Sequence, residues 1–272
     1  MKLLVSTDTS VEGVHFKREW LSPSEIGWRA AVAGLSDLAA MGAQPLGLLV
    51  AMTLPKSWLA NVDEIAAGIG DAAEAAGTRI VGGDLARGSE LSLCVTVLGS
   101  AARPLSRSGA RVGDRIYVTG RLGGALAALR AWEAGKEPTR EHRERFARPS
   151  ARIREAQWLA AAGATAAVDV SDGLVADAHH IAAASGATVE LDLGLVPASP
   201  GVAAAEAAGS GEEYEVLTFA PRDVDLGAFQ AAFSLELTEI GRVTGASAEG
   251  EVVVLQSGVR VDPPRGHDHF SR

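Results

Sequence analysis

The chain opens on an apolar run, Leu3, Leu4 and Val5, that stops at a cluster of small polar residues, Ser6, Thr7, Asp8 and Thr9. Strand-like runs recur at 46–54, 79–82 and 91–99, and between them 23–41 and 62–76 carry the wider apolar spacing of helices. Strands alternating with helices predict an α/β or α+β layered domain. The first helix has a defined start, with Ser22 as cap, Pro23 at the first helical position and Glu25 closing a capping box, while Gly42 and Pro45 mark its end. It is apolar nearly all round, which predicts burial.

Segment 101–115 mixes Pro, Gly, Ser and Arg and predicts a boundary between domains at 1–102 and 103–272. Beyond it the pattern predicts a strand in "RIYVTG", a glycine-rich turn running into a helix, and a charged segment over 136–149. Helix 152–162, strand "TAAVDV" and helix 173–184 follow, and then strands with one helix ahead of a polar tail.

Composition narrows the partners. With 47% hydrophobic and 22% charged residues the chain reads as an ordinary globular protein. Its 34 acidic residues outnumber 25 basic ones, and no Lys/Arg block interleaves with aromatics, so nucleic acid is not expected as a partner. Only three apolar residues precede the polar cluster, too few for a secretory signal. The most apolar stretch, 31–54, is broken by Asp37, Gln44 and Pro45, so no membrane span is expected. A cytoplasmic location follows as an expectation. The single cysteine, Cys94, sits in a strand-like run and reads as a small buried apolar residue rather than a reactive thiol.

The candidate chemistry lies in aspartates at strand ends. Asp8 closes the first strand, Asp84 follows a strand and two glycines, and Asp169 and Asp172 finish a strand and open a helix. Ligands gather outside the carboxyl ends of strands in open α/β sheets. Capping and turn formation explain any one of these acids taken alone; their repetition points to one site. Asp37, in the middle of an apolar helix, needs a cation, a proton or a donor. Converging carboxylates repel by roughly 4 kcal/mol per pair at about 4 Å and an effective dielectric near 20, which a divalent cation relieves. An oxygen-only ligand set favours Mg²⁺, and Mg²⁺ beside phosphates suggests phosphoryl transfer from a nucleotide. The usual phosphate loops are absent, and "VTGRLGGA" is a weak substitute.

The motifs "STDTSVEGVHF", "LSDLAAMGAQP", "GGD", "SRSGARVGD", "RPSARI", "VDVSDGL" and "GSGEEYEV" occur in the order seen in thiamine-monophosphate kinases, within the superfamily of aminoimidazole ribonucleotide synthetase and selenophosphate synthetase, and the chain resembles that family along essentially its whole length. The resemblance implies a two-domain α+β fold with mixed sheets covered by helices, and a homodimer built through the first domains. It implies ATP-dependent conversion of thiamine monophosphate to thiamine diphosphate by direct in-line transfer, assisted by several Mg²⁺ ions. Carried over by position, Ser6, Thr7, Asp8, Asp37, Asp84, Asp169 and Asp172 resemble metal ligands, with Asp8, Asp84 and Asp169 central to catalysis. Gly83, Arg107 and Ser171 resemble ATP contacts, and His15 and Glu212 resemble substrate contacts. His267 stands where the family usually has an aromatic ring beside the substrate. The family's usual amino-terminal segment, which supplies a further metal ligand, has no counterpart before Leu3. The alternative implied is a Mg-nucleotide-binding member that is inactive or acts on another substrate.

Overall fold

A computed structural model describes residues 1–221 and 224–266. The first sheet is built from β1 (Lys2–Val11), β2 (Gln44–Leu54), β3 (Ile80–Arg87) and β4 (Ser92–Ala101), with α1 (Pro23–Ala40) and α2 (Val62–Ala75) between its strands. Its order is β1-β4-β2-β3, with β4 antiparallel to both neighbours and β2 parallel to β3.

The second half runs through β5 (Arg115–Thr119), α3 (Gly124–Glu133), α4 (Arg140–Ala147), α5 (Ile153–Ala161), β6 (Ala166–Asp169), α6 (Leu174–Ser185) and β7 (Ala187–Asp192). It continues with α7 (Ala204–Ala208), β8 (Val216–Ala220), α8 (Leu226–Phe233), β9 (Leu237–Ala246), β10 (Glu251–Gln256) and β11 (Val259–Val261). These strands form a seven-stranded mixed sheet, β11-β10-β7-β9-β5-β8-β6, parallel only at β10–β7. The architecture is the expected α+β arrangement of mixed sheets and helices. Two short elements escape the apolar pattern. Helix α4, "REHRERFA", lies in the charged segment and buries only Phe146 and Ala147, and α7 is five residues long.

Helix α1 organises the molecule. Its start carries the predicted capping box: Ser22 Oγ accepts from the Glu25 N–H, and the Ser22 N–H donates to Glu25 Oε2 at 2.8 Å. Arg143 of α4 forks onto the same carboxylate at 2.6 and 2.8 Å, tying the cap to the second half of the chain. The helix packs against α2, β1 and β4 on one side and against α5, β6 and α4 on the other. Burial on both sides explains its apolar circumference. Gly27 and Gly68 let α1 and α2 touch along their backbones, since a Cβ on either would fall about 2 Å from a carbonyl oxygen, that of Ile65 or Ser24.

Both helices cover the same face of the first sheet. The opposite face is open, and it exposes Leu3 (68%), Val5 (58%) and Leu49 (38%). Cys94 lies on this face, half-buried, with Sγ 3.4 Å from Thr7 Oγ1, so the expectation of a buried apolar cysteine is corrected. Among the described residues no helix is long and apolar enough to cross a membrane.

Candidate active site

Where the first sheet, α1 and the β6–α6 turn meet, a cavity of about 1140 Å³ opens. Strand alternation decides what β1 sends into it. Leu4, Ser6, Asp8 and Ser10 turn toward α1, and Thr7 and Thr9 turn the other way. Asp8 therefore lines the cavity, and Ser6 Oγ donates to Asp37 Oδ2 at 2.5 Å. Ser6 is the donor that the mid-helix carboxylate requires. Thr7 reaches the rim of the cavity, but its hydroxyl pairs with Thr96 Oγ1 at 3.1 Å on the open face, so its side chain is not aimed at the acids.

Asp169 ends β6 and is 4% exposed. It accepts a hydrogen bond from Ser36 Oγ of α1 at 2.6 Å. Ser171 and Asp172 line the cavity from the turn that follows. That turn is held by Asp177, whose Oδ2 accepts the N–H groups of Ser171, Asp172 and Gly173 at 3.0–3.1 Å. Neither Ser36 nor Asp177 is among the residues expected from sequence. Their signal was present, as polar side chains in apolar helical runs one residue from Asp37 and five from Asp172.

Burial and mutual repulsion load this cluster. Asp8 is pushed up first by burial and then by Asp37, and Asp37 chiefly by burial, against the Ser6 hydrogen bond. Asp169 is driven to about 7 by burial and by Asp37, and Asp177 to about 8 by burial with Asp169 and Asp172. Arg107 is exposed and off the cavity wall, yet its charge pulls both Asp37 and Asp169 downward. Among the described residues one trio brings its ligand atoms within 4.8 Å of one another, namely Asp172, Asp177 and His180. Asp8, Asp37 and Asp169 are spaced more widely, as suits ions that also take water and substrate oxygens.

The cavity also has a lining of another kind. His15, Trp20, Leu126, Leu129, Glu133 and Glu212 contribute to it, and the charges of His15 and Glu212 are felt at Asp8. The Val11 N–H donates to His15 Nδ1 at 3.1 Å, which puts the proton of the neutral ring on Nε2. Trp20 stacks on Trp132 with centroids 5.3 Å apart and carries Lys17 over its ring. Pro264 to Gly266 return to the rim, and His267 lies outside the described residues.

Besides Arg107, two further expected residues are not brought here. Gly83 and Asp84 lie on β3, the exposed edge strand, away from the cavity wall. Gly83 has a local reason to be glycine, because a Cβ would sit 2.1 Å from the Val50 carbonyl oxygen of β2.

Residues 1–101 match the family model of AIR synthase related protein, N-terminal domain, and 111–254 match the corresponding C-terminal domain. A thiamine-monophosphate kinase of Aquifex aeolicus (strain VF5) is 34% identical over 284 residues, covering 99% of this chain and 88% of the relative. That of Escherichia coli (strain K12) is 36% identical over 290 residues, at 99% and 87%. Among solved structures, the thiamine-monophosphate kinase from Stenotrophomonas maltophilia K279a superposes with a TM-score of 0.86 at 35% identity, covering 96% of this chain and 86% of that one. AaThiL complexed with AMPPCP and TMP gives 0.85 at 33%, covering 98% and 87%. Two domain models matched in order, with relatives of this identity along almost the whole length, show that the chain belongs to the thiamine-monophosphate kinase family of AIR synthase related proteins.

Proposed function

We propose that this chain transfers the γ-phosphoryl group of ATP to thiamine monophosphate, giving thiamine diphosphate and ADP. The supporting observation is the convergence of Asp8, Asp37, Asp169 and Asp172 from three segments on one cavity that Trp20, Leu126 and Leu129 also line. Such a mixed lining suits a substrate that carries both a phosphate and an organic ring. The attacking atom is an oxygen of the substrate phosphate, so no side chain need serve as a covalent nucleophile, and catalysis reduces to positioning and charge compensation.

Mg²⁺ fits the donor set, which is carboxylate and hydroxyl oxygen around Asp8, Asp37 and Asp169, all pushed toward the protonated form chiefly by burial. Bound there, it would neutralise the phosphate oxygens that must approach one another. Asp8, Asp37, Asp169 and Asp172 would hold it, Ser6 and Ser36 would aim Asp37 and Asp169, and Arg107 and Ser171 would face the nucleotide. His15 and Glu212 would contact the thiamine ring system. A coupled ADP-release assay on the purified chain with ATP, thiamine monophosphate and Mg²⁺ tests the reading. ADP formation that depends on thiamine monophosphate is expected, and nucleotide binding without turnover would refute it.

The open face of the first sheet supports a homodimer. Its exposed leucines and valines form the kind of apolar surface that monomers avoid. Gly83 and Asp84 belong to that sheet's edge, so a role for them at the nucleotide would arise only in the assembled dimer. Val5→Asp should shift the mass measured by light scattering from two chains to one. A monomeric wild type would rule the dimer out.

A further inference from the structure

Helix α1 carries one buried cation that the reaction, as outlined, does not use. Arg29 is 3% exposed. Its Nη1 donates to the Phe146 carbonyl at 2.5 Å, and the guanidinium carbon lies 3.7 Å from the centroid of the Phe146 ring. On its other side, Nη2 is 2.7 Å from Glu212 Oε1, an ion-pair contact away from the ideal donor direction. An apolar residue would fill this place without the desolvation that a buried guanidinium incurs, so stability alone is a poor reason for it.

Glu212 is fixed from a second side. It holds a left-handed backbone (φ +58°) although it is not glycine, as does Tyr214 (φ +52°). Such conformations persist where surrounding contacts over-determine them. The Glu212 N–H donates to Ser171 O at 2.7 Å, which ties the loop to the turn bearing Asp169 and Asp172. Arg29 then clamps one carboxylate oxygen from α1, the helix that also carries Asp37 about 12 Å further along. Among the described residues Oε2 has no hydrogen bond, and Glu212, a quarter exposed, lines the cavity.

We propose that Arg29 is a positioning residue for substrate selection: it holds Glu212 Oε1 so that Oε2 is left as a fixed acceptor facing the cavity, aimed at an N–H donor on the ring of the substrate. The assignment rests on the function proposed above. Glu212 touches the ligand, and Arg29 acts only through it. The guanidinium suits this task because its planar fork serves the Phe146 carbonyl and Glu212 together, which a lysine ammonium cannot do in the same geometry.

The test is a cycle of four proteins, wild type, Arg29→Lys, Glu212→Gln and the double variant, with the dissociation constant for thiamine monophosphate measured by calorimetry and steady-state kinetics run in parallel. Arg29→Lys should weaken thiamine monophosphate binding by about tenfold or more while leaving the KM for ATP within about twofold. In the Glu212→Gln background the same change should add almost nothing, because its effect runs through the lost carboxylate. Arg29→Gln, which keeps a donor toward Phe146 but loses the charge, should weaken binding further than Arg29→Lys and remains informative if the lysine variant fails to fold. Equal changes in both substrates, or additive effects in the double variant, would show a merely structural arginine and overturn the proposal. A wild type that binds thiamine monophosphate but turns nothing over would defeat the proposed reaction while still deciding the role of Arg29; a wild type that does not bind it would defeat both.

Discussion

Replacing Asp8 by alanine should lower turnover by about a hundredfold to a thousandfold at saturating Mg²⁺, with the melting temperature of the metal-free protein unchanged or raised. Asp8 is half-buried beside a second acid, and both burial and Asp37 push its carboxyl toward the neutral form. It has no compensating ion pair among the described residues, so the folded apo protein gains little from its charge. Removing it relieves repulsion on Asp37 rather than leaving a buried cation unpaired. The opposite holds for Glu215, which accepts Arg152 at 2.7 Å twice and also pairs with Arg145. Glu215→Ala should unfold the chain before its activity can be read. An Asp8→Ala enzyme with near-normal ADP release would refute the metal assignment, whatever happened to its stability.

The sequence pattern made the α+β class legible, together with several of the acids that line the cavity. Asp37 was legible because a carboxylate in an apolar helix has few explanations, and the structure supplies one of them in Ser6. Asp169 and Asp172 were legible from their position at the end of a strand. Thr7, carried over with its neighbours from the resemblance, differs from them because period-two alternation turns its side chain to the open face while Ser6 and Asp8 face α1. Arg29 is visible in the sequence as the cation of α1, but it stands eight positions from Asp37, more than two turns away. Its actual partner, Glu212, lies far along the chain, and no local spacing encodes that pairing. Helix α4 was lost for a related reason: it has almost no apolar face, and contacts such as Arg143 with Glu25 anchor it to a distant cap.

The metal-free protein should be more stable near pH 5 than near pH 8, and Mg²⁺ should reverse that order. Asp169 has a folded value of about 7 against an ordinary 3.8. Between those values the folded chain keeps a proton that the unfolded chain has released, so its contribution is complete below 3.8 and disappears as pH rises through about 7. Taken at face value the difference amounts to an upper limit of roughly 4 kcal/mol. Asp177, at about 8, acts in the same sense, and Asp8 and Asp37 share the direction. The carboxyls held low, Glu25, Glu206 and Glu215, matter only as pH falls below the ordinary glutamate value of 4.5, outside this window. His180, lowered by burial and by Arg107, opposes the trend only toward its ordinary 6.5 and below. Because Mg²⁺ binds the ionised carboxylates, its stabilisation should grow from pH 5 to pH 8, where the apo protein is weakest. Melting temperatures across that range, with EDTA and with Mg²⁺, supply the check, and Asp169→Asn should both flatten the metal-free slope and shrink the Mg²⁺ gain. A metal-free melting temperature that climbs steadily from pH 5 to pH 8 would mean that these acids are not strained in the folded chain, and the case for a cation among them would lose its physical basis.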